Sequence, residues 1–117
     1  MVLCQIVVNS PNYNLYAINV FGNKKVKIVR IDYRYTAGEQ DKLIVIQSSI
    51  LRLVYSNYPY FTFSANTNHQ VGNINGDLIF DDVHFNGNLD LTIIDAETNV
   101  APANYVAMIL TLDITDK

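Results

Sequence analysis

The stretch FDDVHFNGNLDLTIID, residues 80 to 95, gathers oxygen-bearing side chains around one glycine. Asp81, Asp82, Asn86, Asn88 and Asp90 are of the types that bind a hard cation such as calcium. An EF-hand loop, however, needs acids at its first and third positions, glycine at the sixth and glutamate at the twelfth, between two helices. Here the flanks alternate with the period of strands. Val83, Phe85, Leu89, Leu91 and Ile93 share one face, and Asp82, His84, Asp90 and Thr92 share the other. The region holds no glutamate before Glu97. The oxygens are therefore strung along strands and do not converge on a point, which predicts no metal here. Asn86-Gly87 is a strong turn signal. A two-residue hairpin would set His84 against Leu89 and Asp82 against Leu91, polar against apolar. The pattern thus predicts a longer turn, or a corner where the chain crosses between sheets.

Other chemistry is thin. His69 and His84 are the only imidazoles, one in a loop and one on a strand. A set of Ser64, His69 and an aspartate can be drawn, as in most chains of this size, and carries little information. Asp81 and Asp82 are adjacent on a strand and should face opposite sides, which rules out an acid dyad. No nucleophile elbow, Gly-rich phosphate loop or C-x-x-C motif occurs. The sequence predicts a non-enzymatic protein with no catalytic residue, no cofactor and no metal.

The elements that would position any site are strands. The 117 residues predict one domain, 1–117, and half of them are apolar while 16% are charged, the balance of a chain that folds. Net charge is -3, and Lys24, Lys25 and Lys27, continued by Arg30 and Arg34, form the only basic cluster. Without a basic arm or stripe, nucleic-acid binding is not expected. The single cysteine, Cys4, excludes an internal disulfide and reads as a small core residue. The start, MVLCQIVVNSP, has an apolar run without a basic lead and reads as a strand and not a signal peptide. No run approaches the roughly 18 apolar residues of a membrane helix. None of the 14 asparagines opens an N-x-S/T site, which with the missing leader suggests intracellular synthesis.

Eight strands are predicted: VLCQIVV, NLYAINVF, KKVKIVRIDYRYT after a turn at Gly22-Asn23, KLIVI, YFTFS, DLIFDDVHF, NLDLTIID and YVAMILTLDIT. SSILRLVY, after KLIVI, fits a strand or a helical turn equally well. Val29, Ile31, Tyr33 and Tyr35 alternate with Arg30, Asp32 and Arg34. ANTNHQVGNING is the longest predicted loop. No stretch has a helical apolar period, so the fold class is all-β, an antiparallel eight-stranded sandwich or barrel. Ile31, Tyr33, Phe63, Phe80, Leu91, Ile93, Leu110 and Leu112 should be buried.

An eight-stranded sandwich of this length fits a single jelly roll. DKLIVIQSSIL, and NLDLTIIDAETN followed by a short loop and YVAMILTLDI, resemble segments of virion proteins from large DNA viruses and virophages of the double jelly-roll lineage. The resemblance covers about 70 C-terminal residues. It implies a capsid-associated or cement protein, a component of the virion made in the host cytoplasm. This chain has the length of one jelly roll, so it would not be the double-barrel capsomer. A trimeric head domain of the tumour-necrosis-factor type and a carbohydrate-binding sandwich are the alternatives.

Self-association is expected from the residues. Several strands carry apolar side chains on both faces, and a sheet in a sandwich buries only one. Ile94 and Ile109 fall on outward positions, as does Ile79. Tyr55, Tyr58 and Tyr60 cluster around Pro59 and are of a type enriched at interfaces. Tyr55, Tyr58, Tyr60, Ile94 and Ile109 are therefore the candidate interface of a homo-oligomer. The resemblance implies a trimer.

Overall fold

A computed structural model describes residues 2–35, 42–51, 60–65, 71–103 and 105–117. The chain is all-β and antiparallel, with no helix among the described residues. The described residues form six strands: β1 (Val2–Val8), β2 (Asn14–Tyr35), β3 (Lys42–Gln47), β4 (Tyr60–Ala65), β5 (Val71–Asp95) and β6 (Tyr105–Asp116). They are hydrogen-bonded in the order β1-β6-β2-β5-β3-β4.

Six elements replace the eight expected because two turn signals do not end strands. Gly22 and Gly87 each lie inside one continuous strand, of 22 and 25 residues, with φ of +87° and +97°. Glycine adopts this left-handed region without the Cβ clash that other residues meet. β2 and β5 pair with each other from Asn14↔Leu91 to Arg34↔Val71, and the ladder slips between Ala17 and Phe21, between Lys24 and Val26, and between Ile28 and Arg30. Such bulges bend and twist a strand pair. At Asn86-Gly87 the strand thus continues, and neither a hairpin nor the expected longer turn ends it there. Residues 71–76 of the expected long loop belong to β5.

The bulges also switch which residues point inward. On β2, Val26 and Ile28 are buried, and then Ile31 and Tyr33, one position out of phase. Val29, expected to join Ile31 and Tyr33, is half-buried at the slip. On β5 the phase changes between Phe80 and Val83, where Asp81 and Asp82 are both exposed. They do not face opposite sides as simple alternation predicts.

One hydrophobic cluster joins Ile6 and Val8 of β1, Val26 to Tyr33 of β2, Ile44 and Ile46 of β3, Phe80 to Ile93 of β5, and Met108 to Ile114 of β6. Ile31, Tyr33, Phe80, Leu91, Ile93, Leu110 and Leu112 are buried as expected. Phe63 stands opposite Ile44 in the β3–β4 ladder, and its side chain is outside the described residues. After β3 the chain turns: the Ser48 hydroxyl accepts from the amides of Ile50 and Leu51, and Leu51 is fully buried.

Candidate interaction surface

Among the described residues seven large apolar or aromatic side chains are exposed: Leu3, Val7, Tyr13, Leu15, Phe21, Ile79 and Val100. Two of them come from β1. Alternation along VLCQIVV turns Ile6 and Val8 into the core and leaves Leu3 64% and Val7 54% exposed, with Gln5 between them. β1 lies at the end of the strand order and pairs with β6 without a register slip, from Val2↔Ile114 to Val8↔Met108. Gln5 donates its side-chain amide to the Thr111 hydroxyl at 3.4 Å, and the Tyr105 hydroxyl donates to the Val8 carbonyl. Cys4 is half-buried beside the core and not fully enclosed, and burial pushes its thiol pKa up. The neutral thiol is a poor nucleophile.

Phe21 is a different case. Its ring covers Gly87, and a Cβ built on Gly87 would stand 2.9 Å from the Phe21 Cζ. An aromatic laid over a cross-strand glycine fills the space that the missing side chain leaves.

The expected interface residues are dispersed. Ile109 stands between Val7 of β1 and Asp32 of β2 and is half-buried. Ile94 stands opposite Val45 of β3, near the other end of the strand order, and is also half-buried. Tyr60 opens β4 opposite Gln47, with its side chain outside the described residues. Tyr55 and Tyr58 lie outside the described residues altogether. The exposed row of β1 is not among the expected interface residues, because a strand pattern alone does not tell which face of β1 stays open. Its one usable signal was seven residues without a charge.

The oxygen-rich stretch is engaged elsewhere. Asp81 lies 4.0 Å from Lys25, and Asp82 3.3 Å from Lys117. Asn86 accepts from the Asn88 amide at 3.3 Å. Asp90 accepts from the Ser49 amide, at 2.9 Å, and from its hydroxyl, tying the turn after β3 to β5. No group of three or more His, Cys, Asp or Glu placed to hold a metal occurs among the described residues. His84 Nδ1 is 2.9 Å from the Asn23 side-chain oxygen, and His69 is outside the described residues.

Three members of the basic cluster on β2, Lys24, Lys25 and Arg30, lie beside acids. Lys24 pairs with Asp116 at 2.5 Å and Arg30 with Asp32 at 2.8 Å. Two surface depressions, of about 240 and 290 Å³, border these charges. Thr115 lines both, beside Lys24 and Asp116 in one and beside Lys25, Lys27 and Asp113 in the other. No helix among the described residues is long and apolar enough to cross a membrane. Compared with known proteins, the chain matches no protein-family model, no curated protein and no solved structure.

Proposed function

We propose that this chain is a non-enzymatic structural protein that assembles with copies of itself, of the capsid-associated or cement class of virion components. The observation that carries the reading is the exposed apolar set, Leu3, Val7, Tyr13, Leu15, Phe21, Ile79 and Val100, on a small domain of modest net charge. Leu3 and Val7 share the outward face of β1, adjoining exposed apolar side chains favour association, and weak net charge opposes it little.

The strand order supports a single jelly roll as the finer fold. Dividing β2 at Gly22 and β5 at Gly87 gives eight segments in chain order. Their pairings run first-eighth-third-sixth in one half and second-seventh-fourth-fifth in the other. This is the interleaving of two four-stranded sheets that a jelly roll requires. The two long strands would carry the chain from one sheet to the other at their bends. Assembly is three-fold in this proposal, a stoichiometry taken from the resemblance, and the interface should bury at least ~1,000 Å² in total.

Light scattering on the purified chain tests the reading. The expected result is a mass of three protomers of 13.2 kDa at tens of micromolar and ordinary salt. A monomer mass would overturn it. Leu15→Asp and Tyr13→Ala, both in the exposed set, are expected to lower the mass while far-UV circular dichroism stays that of a β protein.

A further inference from the structure

β1 is an edge strand without the usual protections. Among the described residues it pairs with β6 alone. Its seven residues, VLCQIVV, include no charge and no proline, and no bulge interrupts its ladder. The outer edge of such a strand presents a row of open N–H and C=O groups, which is a template for another strand unless a charge, a proline or a bulge blunts it. We infer that the free edge of β1 is a two-fold contact between two copies of this chain, formed by antiparallel β1–β1 pairing about Gln5. The inference rests on the self-assembly reading and gives it a surface.

The strand itself selects the occupant and the register. About an axis at Gln5, Val2 faces Val8, Leu3 faces Val7, Cys4 faces Ile6, and Gln5 faces its own copy. All seven residues then stand opposite one another, because Gln5 is the midpoint of Val2–Val8, although the Val8 carbonyl at each end already accepts from the Tyr105 hydroxyl. On the outer face the exposed Leu3 of one copy meets the exposed Val7 of the other, at both ends of the ladder. The two Gln5 amides meet at the centre, where each can donate and accept. A slip of one residue would set outward side chains against inward ones and break the alternation. A slip of two keeps the faces but leaves residues at one end of each strand unpaired. No charge within Val2–Val8 is repeated across the axis, and the net charge of -3 on each copy opposes their approach only weakly. An isologous contact of this kind closes on itself. Where trimers form, it joins one trimer to another, and where they do not, it gives a dimer. A single pair of seven-residue strands is a small interface, so the contact is concentration-dependent.

Charge at the axis tests the register. Gln5 is exposed, so Gln5→Lys and Gln5→Glu should keep the fold, checked by circular dichroism and melting. Each variant alone sets like charges face to face and should lose the two-fold species in light scattering. An equimolar mixture should regain it as one-to-one pairs. Cross-linking provides a second measurement. Paired Cα atoms in an antiparallel ladder lie about 4.5 or 5.5 Å apart, within the span of a disulfide. In a Cys4→Ser background, Gln5→Cys should therefore give a covalent dimer under mild oxidation. Leu3→Cys, at an equally accessible position that faces Val7, should give severalfold less. A monomeric wild-type chain would overturn both this contact and the self-assembly reading. An oligomer whose mass is untouched by Gln5→Lys, and whose Gln5→Cys form links no better than Leu3→Cys, would overturn this contact alone.

Discussion

β6 is flanked by two strands of opposite character. On one side β1 pairs along seven residues in unbroken register, carries no charge, and shows Leu3 and Val7 to solvent. On the other side β2 runs 22 residues through three slips of its ladder with β5 and bears Lys24, Lys25, Lys27, Arg30, Asp32 and Arg34. The same neighbour thus holds a flat apolar edge and a bent charged centre. The difference lies in what constrains each strand. β2 has a partner on both sides and must bend with β5, so its special positions are fixed by geometry: Gly22 and Asn19 at positive φ, and bulges where the inward phase changes. Among the described residues β1 meets one partner, and alternation decides its pattern. Substitutions should therefore affect folding at the centre and association at the edge.

The largest effect is expected where the bend meets the core. Phe85 is opposite Gly22 in the β2–β5 ladder and 1% exposed. Phe85→Ala should destabilise by about 3–5 kcal/mol in urea unfolding, through lost burial and the cavity left behind. Val7→Ala on the exposed edge should change stability by no more than about 0.5 kcal/mol. Equal losses at the two positions would erase the contrast. The two bend glycines come next. Both have positive φ, but a Cβ on Gly22 meets nothing within 4 Å, whereas one on Gly87 meets the Phe21 ring at 2.9 Å. Gly87→Val should cost about 2 kcal/mol or more, from backbone strain together with the displaced ring. Gly22→Ala should cost about 1 kcal/mol, from strain alone. A Phe21→Ala background should relieve part of the Gly87→Val loss and leave the Gly22→Ala loss unchanged.

Much of the core was legible because burial follows period two within each straight run. Ile31 and Tyr33, Leu91 and Ile93, and Leu110 and Leu112 each sit in one such run, and each pair is buried. Legibility stops at the slips. Val26, Ile28 and Val29 offer two possible phases, and the choice is made by where β5 and β6 pair with β2, which no local pattern records. Asn86-Gly87 and Gly22-Asn23 carry the same signals that end strands in a hairpin. Here each glycine bends a strand whose ladder continues past it, because the partner strand continues too. The candidate surface was legible in kind but not in place. Surplus apolar residues on outward positions were evident at Ile79, which is 41% exposed, whereas Ile94 and Ile109 are half-buried. The exposed edge at Leu3 and Val7 depends on β1 being last in the sheet order, a fact of topology.

The smallest effect is expected from the charges that distinguish β2 from β1. Lys24 and Asp116 face each other in the β2–β6 ladder, and their side chains pair at 2.5 Å. Asp116 is largely exposed, and the hydrogen bond and charge of Lys24 hold its carboxyl below the ordinary aspartate range. A depressed carboxyl pKa favours the folded state wherever the carboxylate is ionised, above its unfolded value of about 3.9. That contribution fades as pH falls through the lower folded value. Melting temperatures of the wild type and Asp116→Asn should therefore differ slightly near neutral pH and converge as the solution is acidified below about pH 4. Added salt should narrow the neutral-pH gap, since an exposed pair is screened. A gap that persists at acid pH would assign the effect to packing at the end of β6 and not to the ion pair. No equivalent acid transition should accompany substitutions on β1, where Val2–Val8 contains no ionisable group except the buried-shifted thiol of Cys4.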